Sequence, residues 1–297
     1  LGTDVFAMDV GNSSATVPAF DSGFPVDFAI NTNPTATRDR YGSSRLMGWN
    51  YIKLNDSGGQ VSGGSQAYDS NVGFMKGTWA DSGRQAWMWK RGQGFDVVTT
   101  ISTLSAGQSM QHNLGRIPEM IWGKNRSTTD SWSVYHYGLN GGTNPEQYRL
   151  KLNDNSVEAD YAAAWADTAP TSVSFTPGSN YNGGDDPIFM LFATVEGISK
   201  VGYYTGTGAA GNTQTTDFTP RFILVKCVTD AVDWGLFDSL RGLGSSGNDE
   251  RLYLNTNQAQ VGGYDYLTTS ATGFTPAFVG SSVVNASGQK FIYYAHA

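Results

Sequence analysis

The chain has 297 residues, a net charge of −7 and one cysteine, Cys227. A sequence that is 39% hydrophobic and 15% charged, with no basic stripe, excludes a disordered chain and disfavours nucleic acid as a partner. A single cysteine excludes an intrachain disulfide, and no apolar stretch approaches the roughly 18 residues of a membrane span.

Aromatic residues make up 13% of the chain, and 37 glycines accompany many Asn, Ser and Thr residues. This composition is typical of short strands joined by tight turns. We therefore predict an all-β fold of antiparallel, jelly-roll-like β-sandwiches. The segment 156–170, "SVEADYAAAWADTAP", is the best helix candidate, because its alanines favour one or two helical turns.

Three nearly identical segments recur about a hundred residues apart: "YIKLND" from residue 51, "RLKLND" from 149 and "RLYLNT" from 251. Upstream of each, a proline precedes an apolar strand, in "GFPVDFAI", "GRIPEMIW" and "FTPRFILV". Downstream of each, an aromatic strand follows, in "RQAWMWKR", "IFMLFATV" and "KFIYYAHA". The pattern predicts three tandem units at 1–92, 93–196 and 197–297, the first with a shortened loop.

Within a unit the apolar period is two, as in a strand that is covered on one side. Leu54, Leu152 and Leu254 are then equivalent inward positions, and the Asn after each is expected to begin a turn and bond the local backbone. Trp132 and Trp234 share one column of the repeat, which the first unit lacks, and they are interpreted as scaffold. Each unit could form its own sandwich, or all three could share one core around a pseudo-threefold axis.

No residue pattern predicts catalysis, a cofactor or a metal. His112, His136 and His296 lack metal-ligand spacing, and no Gly-x-Ser-x-Gly elbow is present. The glycine-rich segment 205–212 is not followed by the helix that a nucleotide-binding loop requires. Cys227 lies in an apolar run and is expected to be buried and inert.

Binding chemistry is expected where the units differ, because loops on a repeated scaffold are free to vary. Exposed Trp and Tyr offer large contact area with few rotatable bonds. The non-repeated aromatic and acidic loop positions are Trp79, Tyr137, Trp165, Tyr181, Asp185 and Asp186, although packing under a loop also explains such aromatics. Glu158, Asp160, Asp185 and Asp186 are the carboxylates that leave a glycosidase open as an alternative. The segment 180–187, "NYNGGDDP", is interpreted as a polar loop or hairpin, not as a Ca²⁺ site.

Five segments carry a resemblance to a known group of proteins: "AWMWKRGQGFDVVT", "HNLGRIPEMIWGKNRSTTDSWSVYH", "WADTAPTSVSF", "LFATVEGISKVGYYTGTG" and "FDSLRGLGSSGNDERLYLN". They resemble repeats in structural proteins of tailed bacteriophages, which are often described as tail fibres and sometimes stand beside a lectin-like laminin-G domain. The resemblance covers most of the chain from about residue 80 onward.

This resemblance implies a non-enzymatic virion protein on the surface of a phage particle, as a tail fibre or a surface-exposed module. Its expected roles are assembly and host attachment. Its expected partners are other virion proteins, further copies of itself (a homotrimer, by analogy) and a host glycan or receptor, without nucleic acid or membrane insertion. The alternatives are a carbohydrate-binding lectin-like module, a capsid decoration protein and, with less support, a polysaccharide-degrading tailspike enzyme.

Overall fold

The computed structural model describes residues 1–100, 104–105, 107–182, 186–244 and 247–297. Strands dominate these residues, and the only α-helix among them is a single turn, α1 (Ala162–Trp165). It lies inside the segment 156–170, where one or two helical turns were expected, and the structure has one turn there. The short 3₁₀ turns are Gly2–Asp4, Arg45–Met47, Thr78–Ala80, Leu139–Gly142, Pro145–Gln147, Ser179–Tyr181 and Ser239–Arg241.

The strands are short and follow one another closely along the described residues. Up to residue 92 they are β1 (Phe6–Val10), β2 (Phe20–Asp21), β3 (Phe28–Thr32), β4 (Tyr41–Ser44), β5 (Asn50–Lys53), β6 (Val61–Ser62), β7 (Gly73–Phe74) and β8 (Gln85–Trp89). From residue 93 to 196 they are β9 (Phe95–Thr99), β10 (Met110–Gln111), β11 (Met120–Asn125), β12 (Ser133–His136), β13 (Tyr148–Lys151), β14 (Ala159–Asp160), β15 (Ser174–Phe175) and β16 (Pro187–Phe192). From residue 197 on they are β17 (Ser199–Thr205), β18 (Gln214–Thr215), β19 (Phe222–Cys227), β20 (Gly235–Asp238), β21 (Asp249–Tyr253), β22 (Val261–Tyr264), β23 (Leu267–Ser270), β24 (Gly273–Pro276) and β25 (Lys290–His296).

Three six-stranded antiparallel sheets carry the fold. Sheet 1 has the order β1-β8-β3-β4-β5-β6, sheet 2 the order β9-β16-β11-β12-β13-β14, and sheet 3 the order β17-β25-β19-β20-β21-β22. Each large sheet is built from one of the three stretches of chain given above. Within each stretch, the first strand pairs with the last strand, and the last strand pairs with the third. The three orders are therefore the same.

Each large sheet is covered on one face by a small sheet. The small sheets are β2-β7, β10-β15 and β18-β24-β23. Phe20 and Phe74 of the first small sheet are buried together with Ala29, Ala86 and Met88 of sheet 1. Separate apolar clusters fill the matching space beside sheets 2 and 3. The layering is sandwich-like, with six strands against two or three.

The opposite faces of the three large sheets meet in one shared core. Phe192 of sheet 2 lies 6.5 Å from Trp89 of sheet 1 and 4.9 Å from Tyr294 of sheet 3, measured between ring centroids. Phe222 of sheet 3 also contacts Trp89, at 5.7 Å. Buried apolar side chains from all three sheets form this single cluster, so the central strands of each large sheet are buried on both faces.

The repeated Leu-Asn pair has the same surroundings in all three sheets. Leu54, Leu152 and Leu254 are each fully buried in the shared core. The following asparagines accept a hydrogen bond from the backbone N–H of the residue that precedes the neighbouring strand. These bonds run from Arg40 to Asn55 (2.7 Å), from Trp132 to Asn153 (2.9 Å) and from Trp234 to Asn255 (2.8 Å). The three leucines thus face inward as predicted, whereas the asparagines bond a backbone 15 to 21 residues away instead of their own turn.

A closed ring of side-chain hydrogen bonds joins the three large sheets. Its acceptors are the carbonyl oxygens of the residues just before the three leucines. The bonds are Trp132 Nε1 to Lys53 O (3.0 Å), Trp234 Nε1 to Lys151 O (2.9 Å) and Arg40 Nε to Tyr253 O (3.0 Å). Sheet 2 thereby bonds sheet 1, sheet 3 bonds sheet 2, and sheet 1 bonds sheet 3.

A second closed ring runs through backbone groups. Each donor lies six residues after one of the three leucines, and each acceptor lies just beyond the third strand of the next large sheet. The bonds are Gln60 N to Arg126 O (2.6 Å), Glu158 N to Val228 O (2.9 Å) and Gln260 N to Pro34 O (2.6 Å). Two rings of this kind hold each large sheet to both of the others.

Candidate functional site

The six loop residues singled out from the sequence do not converge on one place. Trp79 and Tyr137 line separate cavities, Trp165 and Tyr181 are buried, and Asp186 holds a neighbouring arginine. Asp185 lies outside the described residues. The candidate surface therefore divides into two clefts, one on sheet 1 and one on sheet 2.

Trp165 and Tyr181 pack under the loops that carry them. Trp165 is 2% exposed and Tyr181 is 1% exposed, and their rings lie 6.1 Å apart in the cluster between sheet 2 and its small sheet. Tyr181 also contacts Phe189 of β16 at 4.8 Å. Trp165 borders a cavity of only about 10 Å³, and both rings are part of the apolar layer beside sheet 2.

Asp186 acts through its backbone. Its carbonyl oxygen accepts a hydrogen bond from Arg126 Nε at 2.7 Å, and its own φ of 45° places it in the left-handed region. Arg126 in turn donates to Gln60 Oε1 at 3.1 Å, across the boundary between sheets 2 and 1. Asp186 therefore helps to hold Arg126 in the contact between sheets 2 and 1.

The larger cleft lies at the start of β11. It has a volume of about 420 Å³ and is lined by Arg116, Ile117, Pro118, Glu119, Tyr135, Tyr137, Ala193 and Thr194. Glu119 Oε2 accepts a hydrogen bond from the Thr194 backbone at 2.5 Å. Tyr137 donates to the Val201 carbonyl at 3.4 Å, and burial raises its pKa to about 12. Glu119 and Tyr137 are thus each bonded to backbone groups of the protein itself.

The smaller cleft lies beside β6, the edge strand of sheet 1. It has a volume of about 160 Å³ and is lined by Tyr51, Ser62, Gly63, Gly64, Ser65, Gln66 and Trp79. Trp79 is 42% exposed, whereas Gln66 is 2% exposed. None of the lining residues carries a charge, so the cleft offers aromatic surface, hydroxyls and an amide.

Two histidines are buried at the end of the shared core. Burial lowers the pKa of His136 and of His296 to about 3. His136 Nδ1 accepts a hydrogen bond from the Gly138 backbone at 2.9 Å, and its Nε2 lies 3.5 Å from the Tyr293 carbonyl. Both rings are neutral at physiological pH and serve as packing groups. Among the described residues, no group of three or more His, Cys, Asp or Glu side chains is arranged to hold a metal ion.

Asp238 is the most connected buried carboxylate, and sequence reasoning missed it. Its Oδ2 pairs with Arg241 Nη2 at 2.7 Å and accepts hydrogen bonds from Gln85 Nε2 and Trp87 Nε1 of sheet 1, each at 3.0 Å. Asp238 and Arg241 are both buried. The spacing of an Asp and an Arg three residues apart is the one sequence signal that could have pointed to the pair.

Comparison with known proteins identifies the family. The sequence model of one family, described as a domain of unknown function (DUF7483), matches residues 84–297. The chain belongs to the DUF7483 family. The DUF7483 match contains the described strands of sheets 2 and 3 but only β8 of sheet 1. Comparisons with curated proteins and with solved structures found no match.

Within the described residues, no helix is long and apolar enough to cross a membrane.

Proposed function

We propose that the chain is a non-enzymatic surface module of a bacteriophage virion, as part of a tail fibre or as another surface protein, that contributes to assembly and host attachment. The resemblance of the segments from about residue 80 onward supports this proposal. The structural role of the repeated residues supports it as well. The three leucines are buried in the shared core, and side-chain hydrogen bonds beside them join the three sheets. Such residues build a scaffold, whereas Trp79 and residues 63–66 of the smaller cleft lie outside the repeated segments.

We propose further that 1–92, 93–196 and 197–297 are tandem units around a pseudo-threefold axis. The common strand order, the shared core and the two closed rings of hydrogen bonds all support this arrangement. A single chain that closes such a ring forms the pseudo-threefold arrangement without help from a second chain. The frame then offers other virion proteins a threefold docking surface.

The virion proposal is tested on purified particles of a phage that encodes the chain. Mass spectrometry is expected to find the protein in particles after density-gradient purification, and gold-labelled antibody is expected to mark the particle surface. Absence from purified particles would contradict the proposal. Light scattering on the isolated protein tests self-association, where a homotrimer has three times the 31.9 kDa of one chain.

Carbohydrate binding is the second candidate function. The observation that favours it is the uncharged aromatic cleft at Trp79, which lies on the surface and belongs to no repeated column. The larger cleft at Tyr137 gives less support, because Glu119 and Tyr137 are already bonded to backbone groups.

A further inference from the structure

The cleft beside β6 has an aromatic wall that is held rigidly. The ring of Tyr41 lies edge-on to Trp79 at 5.7 Å and edge-on to Tyr51 at 5.3 Å. The guanidinium group of Arg84 lies 5.0 Å from the centre of the Trp79 ring and 5.7 Å from that of Tyr41. Trp79 is therefore fixed by neighbours while 42% of its surface stays exposed. A fixed, exposed indole loses little conformational entropy when a ligand covers it.

The residues that line the cleft together with the indole supply polar groups. Gln66 lines the cleft and is 2% exposed, and its Oε1 atom is buried without a hydrogen-bond partner. An unpartnered buried amide oxygen destabilises a folded protein, so such an atom calls for an explanation. Gln66 thus brings an amide with an unused acceptor to the lining of the cleft.

Two glycines keep the cleft open. A Cβ atom on Gly63 would lie 2.9 Å from the Tyr51 ring, so only glycine lets the backbone approach that ring. A Cβ atom on Gly64 would meet no atom within 4 Å, so a side chain at this position would extend into free space. Both glycines line the cleft, and neither adds a side chain to it.

We propose that this cleft binds one pyranose ring of a neutral carbohydrate. The apolar C–H face of the sugar would lie against Trp79, since an aromatic ring offers apolar area beside polar neighbours. Its hydroxyls would bond the amide of Gln66 and the nearby serines. The volume of about 160 Å³ is below the roughly 300–1,000 Å³ of sites for drug-sized ligands, which limits the occupant to about one ring.

The absence of charge on the lining residues excludes a carboxylated sugar as the preferred ligand. Arg84 lies against the Trp79 and Tyr41 rings and is not one of the lining residues of the cleft. The biological meaning of this inference rests on the host-attachment function proposed above, because the sugar would be the ligand in that attachment. The binding itself is a property of the purified chain.

The test uses the purified full chain and a panel of methyl pyranosides, with methyl glucuronide as the anionic probe, measured by saturation-transfer NMR and titration. At least one neutral pyranoside is expected to bind with a Kd of roughly 1 mM or below. Trp79→Ala is expected to weaken binding about tenfold or more, as for an aromatic anchor. Gly64→Trp is expected to abolish binding by filling the cleft.

Trp49→Ala is the matched control, because Trp49 is 50% exposed in the same part of the chain and does not line the cleft. It should leave the affinity unchanged, and thermal unfolding of each variant verifies the fold. No binding of any neutral pyranoside would overturn the inference. So would preference for the glucuronide, or binding that survives Gly64→Trp. Sugar binding by a protein that is absent from purified particles would overturn the virion proposal alone.

Discussion

The indole Nε1 of Trp132 donates a hydrogen bond to the carbonyl oxygen of Lys53, 3.0 Å away and 79 residues earlier in the chain. Lys53 directly precedes Leu54 of the repeated motif, and Trp132 directly precedes β12. Trp234 and Lys151 repeat the same relationship between sheets 3 and 2 at 2.9 Å. The bond explains why the tryptophan and the Leu-Asn pair recur together in the sequence.

Removal of the Trp132 indole should destabilise the protein strongly. Trp132→Ala is expected to lower the free energy of unfolding by about 3–5 kcal/mol, because it leaves a cavity in the shared core. Trp132→Phe keeps most of the apolar volume but leaves the Lys53 carbonyl unpartnered, for a loss of about 1–3 kcal/mol. Urea unfolding measures both, and Trp49→Ala, at an exposed site, should change stability by no more than about 0.5 kcal/mol. Equal effects of Trp132→Ala and Trp49→Ala would contradict the assigned role.

Asp238 should be essential to the contact between sheets 3 and 1. Asp238→Asn is expected to cost about 3–5 kcal/mol, because it leaves the buried charge of Arg241 uncompensated. The matched control is Asp56→Asn, whose ion pair with Lys53 is partly exposed and 3.5 Å long, with an expected loss below about 1 kcal/mol. Chemical unfolding compares the two. A loss for Asp238→Asn no larger than for the control would show that the pair does not hold the sheets.

The two buried histidines should make the protein sensitive to mild acid. Their folded-state pKa is about 3, whereas an unfolded histidine titrates near 6.5, so only the unfolded chain gains these protons as the pH falls from about 6.5 to 3. Each histidine therefore lowers stability by about 1.4 kcal/mol per pH unit within this window and has no such effect above it. Asp249 acts oppositely below about pH 6, because burial raises its folded pKa to about 6 and the folded state takes up the proton first.

Comparison of His136→Asn with the unchanged chain isolates one of these contributions. The amide oxygen of the new residue can still accept the Gly138 hydrogen bond. The slope of unfolding free energy against pH between 6 and 4 should then fall by about 1.4 kcal/mol per unit, whatever the change in stability at pH 7. Parallel slopes for the two proteins would mean that His136 is protonated in the folded state.

The sequence predicts the strands and their inward leucines because "YRLKLND" alternates with period two. It does not predict which layer covers the central strands. Ile30 of β3 faces the shared core while its neighbour Ala29 faces the small sheet. Strands that are buried on both faces show continuous apolar runs. Such runs do not indicate which residues face the shared core and which face the small sheet.

Sheet 1 also contains an equivalence that no aromatic pattern reveals. Its segment "RDRYGSS" lacks the tryptophan, but Arg40 holds the matching place before β4 and bonds Tyr253 O through its guanidinium group. Indole and guanidinium are both long, flat N–H donors, so they serve the same acceptor although they differ in charge. For the candidate site, Trp79 could be singled out from sequence, whereas Gln66 and Gly64 become meaningful only when the loop is folded against Tyr51.

Hydrogen exchange tests the central claim most directly, namely that the three sheets are one cooperative body around a shared core. The measurement compares the unchanged chain with Trp132→Ala by mass spectrometry under native conditions, peptide by peptide. We predict that the slowest amides of β3, β11 and β19, one central strand from each large sheet, all exchange faster in the variant, and by a similar factor. Faster exchange confined to sheet 2, with sheets 1 and 3 unchanged, would contradict the claim and would mean three independent domains.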